Sequence, residues 1–139
     1  MIIRSQEGLP LPIYGEGKNV RDWIQVLDHC RAIDLILRKG RPGEIYNVGG
    51  NTERQNIEVA HEVLQEMGRD DSLIEYVQDR PGHDLRYAID STKIKNELGW
   101  SPSLCFKEGI KQTVHWYIEN EKWWKPLMQY AGRHGLDRH

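Results

Sequence analysis

Residues 11 to 23 read LPIYGEGKNVRDW, and this stretch sets the pattern for the rest of the chain. Proline fixes its own φ angle and disfavours helix in the residue before it, so the two prolines favour extended backbone over 10–14. The glycines of GEG at 15–17 indicate a tight turn. Loose alternation of apolar and polar residues over 21–26 predicts a second short strand.

Helices and strands alternate on both sides of this stretch. Apolar residues at helical spacing, several followed by a glycine, predict helices, and short runs rich in β-branched and aromatic residues predict strands. The predicted helices cover about 1–7, 28–39, 57–67, 92–98 and 106–124, and the further strands cover 44–48, 73–77 and 87–89. The order predicts one small mixed α/β domain over residues 1–124. Asn56 is its expected N-cap for the third helix, and Pro126 falls in a tail, 125–139, that is expected to be flexible.

The composition excludes several classes of protein. The 139 residues carry 19 basic and 21 acidic side chains, without the basic surplus that is usual for nucleic-acid-binding proteins. No apolar run approaches the roughly 20 residues that cross a bilayer, and the first ten residues do not form a secretory signal. Cys30 and Cys105 form no C-x-x-C pair. Both thiols are expected to be reduced and packed, which indicates the cytoplasm.

Common signatures of catalytic sites are missing from the sequence. The GEG turn lacks a third glycine at dinucleotide-loop spacing and opens no long helix, so it does not predict a dinucleotide-binding loop. No Walker motif and no G-x-S-x-G occurs, and the six histidines have no H-x-x-x-H spacing that would predict a metal site. Tyr14 and Lys18 have the spacing of a Tyr-x-x-x-Lys pair, but a turn does not hold them on one face as a helix would.

The loop at 79–86, DRPGHDLR, carries the clearest chemistry in the chain. Arg80, Arg86 and His83 lie within seven residues around a Pro-Gly turn. The planar fork of arginine matches phosphate oxygens, and histidine can donate a further hydrogen bond. The loop therefore predicts a phosphate-binding site. A solvated surface loop is the alternative that composition leaves open.

Four strings, in order along the chain, resemble the dTDP-glucose 4,6-dehydratases, a family of extended short-chain dehydrogenase/reductases of the NAD-dependent epimerase/dehydratase type. They are LPIYGEGKNVRDW at 11–23, GRPGEIYNVGG at 40–50, DRPGHDLRYAID at 79–90 and KIKNELGWSPS at 93–103. The resemblance covers about residues 1–124, and DRPGHD with RYAID is its most specific part. It implies a substrate-binding domain whose N-terminal Rossmann partner, with the NAD-binding glycine loop and the Tyr-x-x-x-Lys pair, lies outside this chain. Residues 1–8 then resemble the end of a truncated helix.

The resemblance also implies a substrate-binding site. The matching positions are Pro12, Ile13, Tyr14, Arg21, Asn56, Asp79, Arg80 and His83. The first three match the segment that lines the nucleotide base, Arg21 matches a diphosphate-binding arginine, Asn56 matches a ligand-contacting asparagine, and the last three match a loop that closes on ribose and diphosphate. Without the resemblance, Arg21 beside Asp22 reads as an exposed ion pair. Gln25 and Leu27 depart from the family's usual residues.

For the whole enzyme, the resemblance implies oxidation of dTDP-glucose at C4 by bound NAD, loss of water across C5 and C6, and return of the hydride at C6. This chain alone is expected to bind a dTDP-sugar weakly, to hold no catalytic residue, NAD or metal, and to be inactive. It is also expected to self-associate through the face that packs on the Rossmann domain. Two alternatives stay open. One is a non-catalytic nucleotide-sugar binder, and the other is an interaction module whose basic loop binds an acidic partner.

Overall fold

Short strands alternate with helices over residues 1 to 131, the part of the chain that the computed structural model describes. The helices are α1 (Ile2–Gln6), α2 (Val26–Lys39), α3 (Asn56–Glu66), α4 (Thr92–Leu98), α5 (Phe106–Glu119) and α6 (Glu121–Ala131). The strands are β1 (Leu11–Tyr14), β2 (Val20–Asp22), β3 (Glu53–Gln55) and β4 (Ile74–Val77), and one 3₁₀ turn, Asp71–Leu73, precedes β4. The order confirms the predicted mixed α/β class.

Two sheets of two strands each place the loops. β1 runs parallel to β4, with Leu11 opposite Ile74 and Tyr14 opposite Val77. The carboxyl ends of both strands therefore lie at the same edge. β2 runs antiparallel to β3.

The segment after the 79–86 loop lies along the other side of β2. The Val20 amide donates to the Leu85 carbonyl at 2.7 Å, and the Tyr87 amide donates to the Val20 carbonyl at 3.0 Å. These two backbone bonds fix the end of the loop beside Arg21, which follows Val20 on β2.

The core lies between the helices. Ala32 of α2, Ile94 of α4 and Trp100 are buried together, so Trp100 anchors α4, the helix before it, to the core. A further set of buried apolar side chains comes from β1, α3 and α5: Leu11, Ile13, Val59, Ala60, Val63, Leu64 and Val114. Full burial of a large aliphatic side chain contributes about 1.5–3 kcal/mol, so these contacts provide the main driving force for the fold.

A buried carboxylate ties α2 to the segment before α5. Asp28 is 1% exposed, and its two oxygens accept hydrogen bonds from the Ser103 amide at 3.0 and 3.1 Å and from the Leu104 amide at 3.3 Å. Arg31 also donates to it. Burial is the largest single influence and raises the pKa of Asp28, but the hydrogen bonds from Arg31, Ser103 and Leu104 together lower the pKa below its ordinary value.

Several strand predictions were wrong. Residues 87–89 form no strand, and only an isolated parallel bridge joins the preceding Arg86 to Val20. Segment 44–48 forms no strand, because no other described backbone pairs with it, and Ile45 is 81% exposed. Tyr46 and Val48 pack instead against the buried group around Trp100. Residues 53–55, predicted as loop, form β3 because the antiparallel β2 supplies their backbone partners. The predicted strand 21–26 ends at Asp22, and α2 begins earlier than predicted.

The departure at Gln25 has a structural role at the start of α2. Its side-chain oxygen accepts from the Leu27 amide at 2.6 Å and from the Asp28 amide at 3.3 Å, so it caps the helix. At α3, Gln55 is the N-cap and Asn56 is the first helical residue. The predicted cap at Asn56 was therefore wrong by one position.

The predicted last helix is two helices. α5 ends at Glu119, and α6 carries Pro126 inside it, so the prediction that Pro126 follows the helix was wrong. The buried Trp124 fixes α6 to α5 by donating from its indole Nε1 to the Tyr117 carbonyl at 2.7 Å. This contact offsets the loss of the backbone hydrogen bond that Pro126, which has no N–H, cannot donate within α6. The predicted flexibility of 125–139 stays a prediction, and residues 132–139 lie outside the described part.

Both cysteines are free and exposed. Their predicted packing was therefore wrong. Cys30 lies on the solvent side of α2, and Cys105 precedes α5 and donates weakly to the Glu108 carboxylate at 3.4 Å.

Candidate substrate-binding site

The carboxyl ends of β1 and β4 bring Tyr14 close to the 79–86 loop. The Gly15 amide donates to the Val77 carbonyl at 2.9 Å, which holds the two strand ends together. Gly15 has a φ of +55°, and a Cβ there would lie 3.2 Å from an oxygen of Asp79. In open α/β sheets, ligands bind beyond the carboxyl ends of the strands. This edge is therefore the favoured position for a site.

Asp79 and His83 form a pair within the loop. His83 Nδ1 lies 2.6 Å from Asp79 Oδ1, and the imidazole is only 5% exposed. The hydrogen bond from His83 is the main cause that lowers the pKa of Asp79, and the Arg80 amide adds to it at 2.9 Å. An ionised carboxylate only accepts hydrogen bonds, so Nδ1 carries the proton and Nε2 is the ring atom left for a ligand.

Tyr14 lies between His83 and Arg80. Its ring meets the imidazole edge to face, with centroids 6.0 Å apart and planes at 85°. The Arg80 Cζ atom lies 5.8 Å from the Tyr14 ring centroid, within the range of a cation–π contact. Arg80 is exposed and has no carboxylate partner among residues 1–131. The structure thus brings together four of the predicted residues: Tyr14, Asp79, Arg80 and His83.

Arg21 is held on the neighbouring side by main-chain oxygens. Its Nη1 donates to the Val20 carbonyl at 2.6 Å, and its Nη2 donates to the Asp84 carbonyl at 2.9 Å. It does not pair with Asp22, whose oxygens accept instead from the Gly50 amide at 2.8 Å and the Thr52 amide at 2.7 Å. The guanidinium charge therefore has no carboxylate partner within the described residues.

Tyr87 connects Arg21 and Arg80. Its hydroxyl donates to the Asp84 carboxylate, which is the main cause that raises the pKa of Tyr87. The charges of Arg21 and Arg80 both act in the opposite direction, and lower that pKa. Both arginines are therefore close enough to the same hydroxyl to influence its ionisation.

The main chain of Asn56 is linked to the 79–86 loop through Asn19, which the sequence analysis did not select as a binding residue. The Asn56 amide donates to the Asn19 carbonyl at 3.0 Å, and the Asn19 side chain, which is buried, donates from Nδ2 to the Asp84 carbonyl at 3.2 Å. Asn19 thus joins the start of α3 to the loop. The signal available in the sequence was a polar residue, Asn19, between a turn and a strand. Its burial depends on contacts with residues that are distant in sequence, so the local pattern does not show it.

Pro12 and Ile13 point to opposite faces of β1. Ile13 is buried, and Pro12 is partly exposed on the same face as Tyr14. Ile13 can therefore offer a ligand only its main chain.

Arg86, one of the two arginines that predicted phosphate binding, is already paired. Its Nε and Nη2 donate to the two oxygens of Glu53 at 2.6 and 2.7 Å. Such a bidentate pair uses the fork that would otherwise bind phosphate. Of the two loop arginines, only Arg80 is uncommitted within the described residues.

The GEG turn does not fit a dinucleotide. The amides of Gly15 and Gly17 donate to the Val77 and Tyr14 carbonyls, so neither is available to a pyrophosphate. A Cβ on Gly17 would lie 2.7 Å from Ile13, so close packing is the reason for that glycine. Lys18 lies on the same turn and pairs with Glu16 at 2.5 Å. The GEG turn therefore does not form a dinucleotide-binding loop.

Among residues 1–131, no group of three or more histidine, cysteine or acidic side chains could hold a metal ion. None of the helices in that range has the length and apolar character needed to cross a membrane.

The chain is similar to nucleotide-sugar dehydratases. The family model described as GDP-mannose 4,6 dehydratase matches residues 1–113. The dTDP-glucose 4,6-dehydratase of Xanthomonas campestris is 52% identical, over 99% of this chain and 41% of that protein. The crystal structure of the Bacillus anthracis dTDP-glucose 4,6-dehydratase in complex with NAD has a TM-score of 0.84 and 52% identity, over 91% of this chain and 40% of that one.

A second solved structure agrees. The Streptomyces venezuelae dTDP-glucose 4,6-dehydratase, with NAD and TYD bound, has a TM-score of 0.85 and 48% identity, over 91% of this chain and 39% of that one. The chain thus spans about two fifths of the length of these relatives. Because the family model covers most of the chain, the chain belongs to the GDP-mannose 4,6 dehydratase family of extended short-chain dehydrogenase/reductases and is similar to one part of dTDP-glucose 4,6-dehydratase.

Proposed function

We propose that this chain is the part of a dTDP-glucose 4,6-dehydratase that holds the nucleotide diphosphate of the substrate. One observation carries the proposal. Arg21 and Arg80 lack carboxylate partners among residues 1–131. Arg80 lies in the 79–86 loop and Arg21 lies beside it. Within that loop, Asp79 orients His83 beside Tyr14. Relatives that carry the dehydratase name, at about half identical residues, support the substrate class.

The chemistry of the site suits a diphosphate. A diphosphate carries about two negative charges, and two guanidinium groups match its oxygens, to which Nε2 of His83 donates when the ring carries both protons. Each charge-assisted hydrogen bond contributes on the order of 1.5–3 kcal/mol. In the whole enzyme, binding at the nucleotide end would position the distant sugar for reaction.

Alone, the chain is proposed to bind dTDP weakly and to be inactive. Asp79 and Arg80 are exposed, so water screens their interaction with a ligand. We expect a dissociation constant nearer millimolar than micromolar, which corresponds to about −4 to −6 kcal/mol. Incubation of the chain with NAD and dTDP-glucose should yield no 4-keto product. Turnover that follows the purified chain would contradict this part of the proposal.

The test compares arginine variants by their dTDP affinity. Arg21→Ala and Arg80→Ala should each weaken binding severalfold, because each removes an uncommitted cation from the site. Arg38→Ala is the matched control, since Arg38 is exposed on α2 and pairs with Asp34 at 2.9 Å. Added salt should weaken binding by the wild-type chain. An equal loss in Arg38→Ala would mean that general charge, and not this site, attracts the nucleotide.

Self-association belongs to the same proposal. Val26, Ile33 and Leu37 are 62%, 52% and 84% exposed and lie on one side of α2 with Cys30 between them. An apolar stripe of this kind is typical of a surface that another chain or domain covers. This stripe lies along α2.

A cytoplasmic location is the remaining element of the proposal. Cys30 and Cys105 are both exposed and unpaired with each other. Exposed free thiols persist in a reducing compartment, where disulfides are rare.

A further inference from the structure

Tyr87 contacts an arginine of the proposed site although it is absent from the predicted set. The Arg21 Cζ atom lies 4.6 Å from the centroid of the Tyr87 ring. This is well within the distance for a cation–π contact, and arginine commonly stacks on aromatic faces. The guanidinium carbon of Arg21 therefore lies over the face of the Tyr87 ring.

Tyr87 is itself held from two directions. Its amide donates to the Val20 carbonyl at 3.0 Å, beside the residue whose side chain it contacts. Its hydroxyl donates to the carboxylate of Asp84. Tyr87 is thus held both at its main chain and at its hydroxyl, so its ring can serve as a rigid support.

Arg21 is held by the same segment. Its Nη2 donates to the Asp84 carbonyl at 2.9 Å and its Nη1 to the Val20 carbonyl at 2.6 Å. Arginine has five N–H donors in a fixed planar fork, and these two bonds leave the others for an anion. The Tyr87 ring and the two carbonyls together leave few rotamers open to the Arg21 side chain. An ordered guanidinium loses less entropy when it binds phosphate.

We propose that Tyr87 is a positioning residue. It holds the guanidinium of Arg21 in the orientation that presents its remaining donors to the substrate diphosphate, and it does so without touching the ligand. The identity of the anion rests on the proposed function above. The contact between the ring and the guanidinium does not depend on that proposal and can be measured without ligand.

The first measurement uses the ligand-free chain. Protons above an aromatic ring are shifted upfield, so the NMR signal of the Arg21 Nε–H should move when the ring is removed. We expect Tyr87→Leu to move this signal toward the position of an exposed arginine and Tyr87→Phe, which keeps the ring, to preserve it. Tyr76→Leu, which removes another exposed tyrosine on β4, is the control. An unchanged Arg21 signal in Tyr87→Leu would overturn the inference.

The second measurement is a double-mutant cycle with dTDP as the probe. Tyr87→Leu should weaken dTDP binding about threefold to tenfold in the wild-type background, as expected for a cation–π contact, but less than about twofold when Arg21 is already alanine. Tyr87→Phe should stay within about twofold of wild type. The indole signal of the buried Trp100 reports whether each variant is folded.

Two results separate this inference from the proposed function. Equal weakening by Tyr87→Leu in both backgrounds would overturn the inference, because Tyr87 would then act on the ligand or on the fold and not through Arg21. No dTDP binding by the wild-type chain would count against the proposed function. In that case the ligand-free Arg21 signal still decides whether Tyr87 holds Arg21.

Discussion

At the scale of single residues, a carboxylate orients an imidazole next to the proposed diphosphate position. Asp79 accepts from Nδ1 of His83, and the nearly buried ring is also held by the edge of Tyr14. A carboxylate that accepts a hydrogen bond from one ring nitrogen selects the tautomer of a histidine and fixes the orientation of the ring. Asp79 therefore serves the site through His83 even where it makes no contact with a ligand.

The ionisation of Asp79 gives a pH prediction. Its folded-state pKa is lowered, mainly by the hydrogen bond from His83, relative to about 3.9 for an unperturbed aspartate. A lowered pKa means that the pair stabilises the folded loop above the unfolded-state pKa and that this contribution is lost as the pH falls through the lowered value. An NMR titration of the Asp79 side-chain carboxyl carbon should give a midpoint below about 3.9.

A substitution provides the control for this titration. In His83→Ala, the Asp79 midpoint should rise toward its ordinary value, since the main cause of the shift is removed. A midpoint that is ordinary in the wild-type chain, or that stays low in His83→Ala, would contradict the assignment.

Residue types and spacing identified Arg80 and His83 as binding candidates, but they could not separate Arg80 from Arg86. Arg86 is paired with Glu53, which lies 33 positions earlier in the chain. A pairing over that distance is set by the antiparallel strands β2 and β3, which are separated by α2, and by the loop beside them, so a local pattern does not show it. The exposed ion pair predicted between Arg21 and Asp22 was wrong for the same reason, since Asp22 accepts hydrogen bonds from amides of the 50–52 segment.

At the scale of elements, Asp28 is the main polar connection between α2 and the segment before α5. Asp28→Ala should lower the free energy of unfolding by about 2–4 kcal/mol, because it leaves the Ser103 and Leu104 amides without partners and Arg31 without its carboxylate. Urea denaturation followed by tryptophan fluorescence measures the change.

Asp34→Ala is the matched control for Asp28. Asp34 lies on the same helix and pairs with Arg38, but both side chains are more than half exposed. Exposed pairs of this kind contribute about 0.5 kcal/mol or less. Equal destabilisation by the two alanine variants would show that burial of the Asp28 carboxylate is not what links the helix to its neighbour.

The helices α2, α3 and α4 and the extended segments that form β1 and β4 were predictable, though not their exact ends, because local signals agree with the final contacts. Prolines precede Tyr14, and glycines follow α2 and α4. Segment 44–48 has the composition of a strand, yet a strand also needs a backbone partner. β3 has a charged sequence, Glu-Arg-Gln, and forms only because β2 lies beside it. In both segments, backbone pairing with residues distant in sequence decided whether a strand formed.

At the scale of the whole molecule, the exposed stripe on α2 predicts self-association. Analytical ultracentrifugation should detect dimers or larger species as the concentration of the wild-type chain rises. Leu37→Glu should shift the chain toward monomer, because it places a charge within the apolar stripe. Leu85→Glu, a substitution of another exposed leucine outside α2, is the control. A wild-type chain that stays monomeric at high concentration would contradict this prediction.

An NMR chemical-shift titration of the wild-type chain with dTDP tests the proposed nucleotide site most directly. We expect shifts that saturate near millimolar nucleotide and that cluster at Tyr14, Arg21, Asn56 and the loop from 79 to 87. Shifts at the exposed side of α2, including Arg38, should stay small. No clustered shifts at several millimolar dTDP, or a cluster on α2 in place of the loop, would contradict the claim that these residues hold a nucleotide diphosphate.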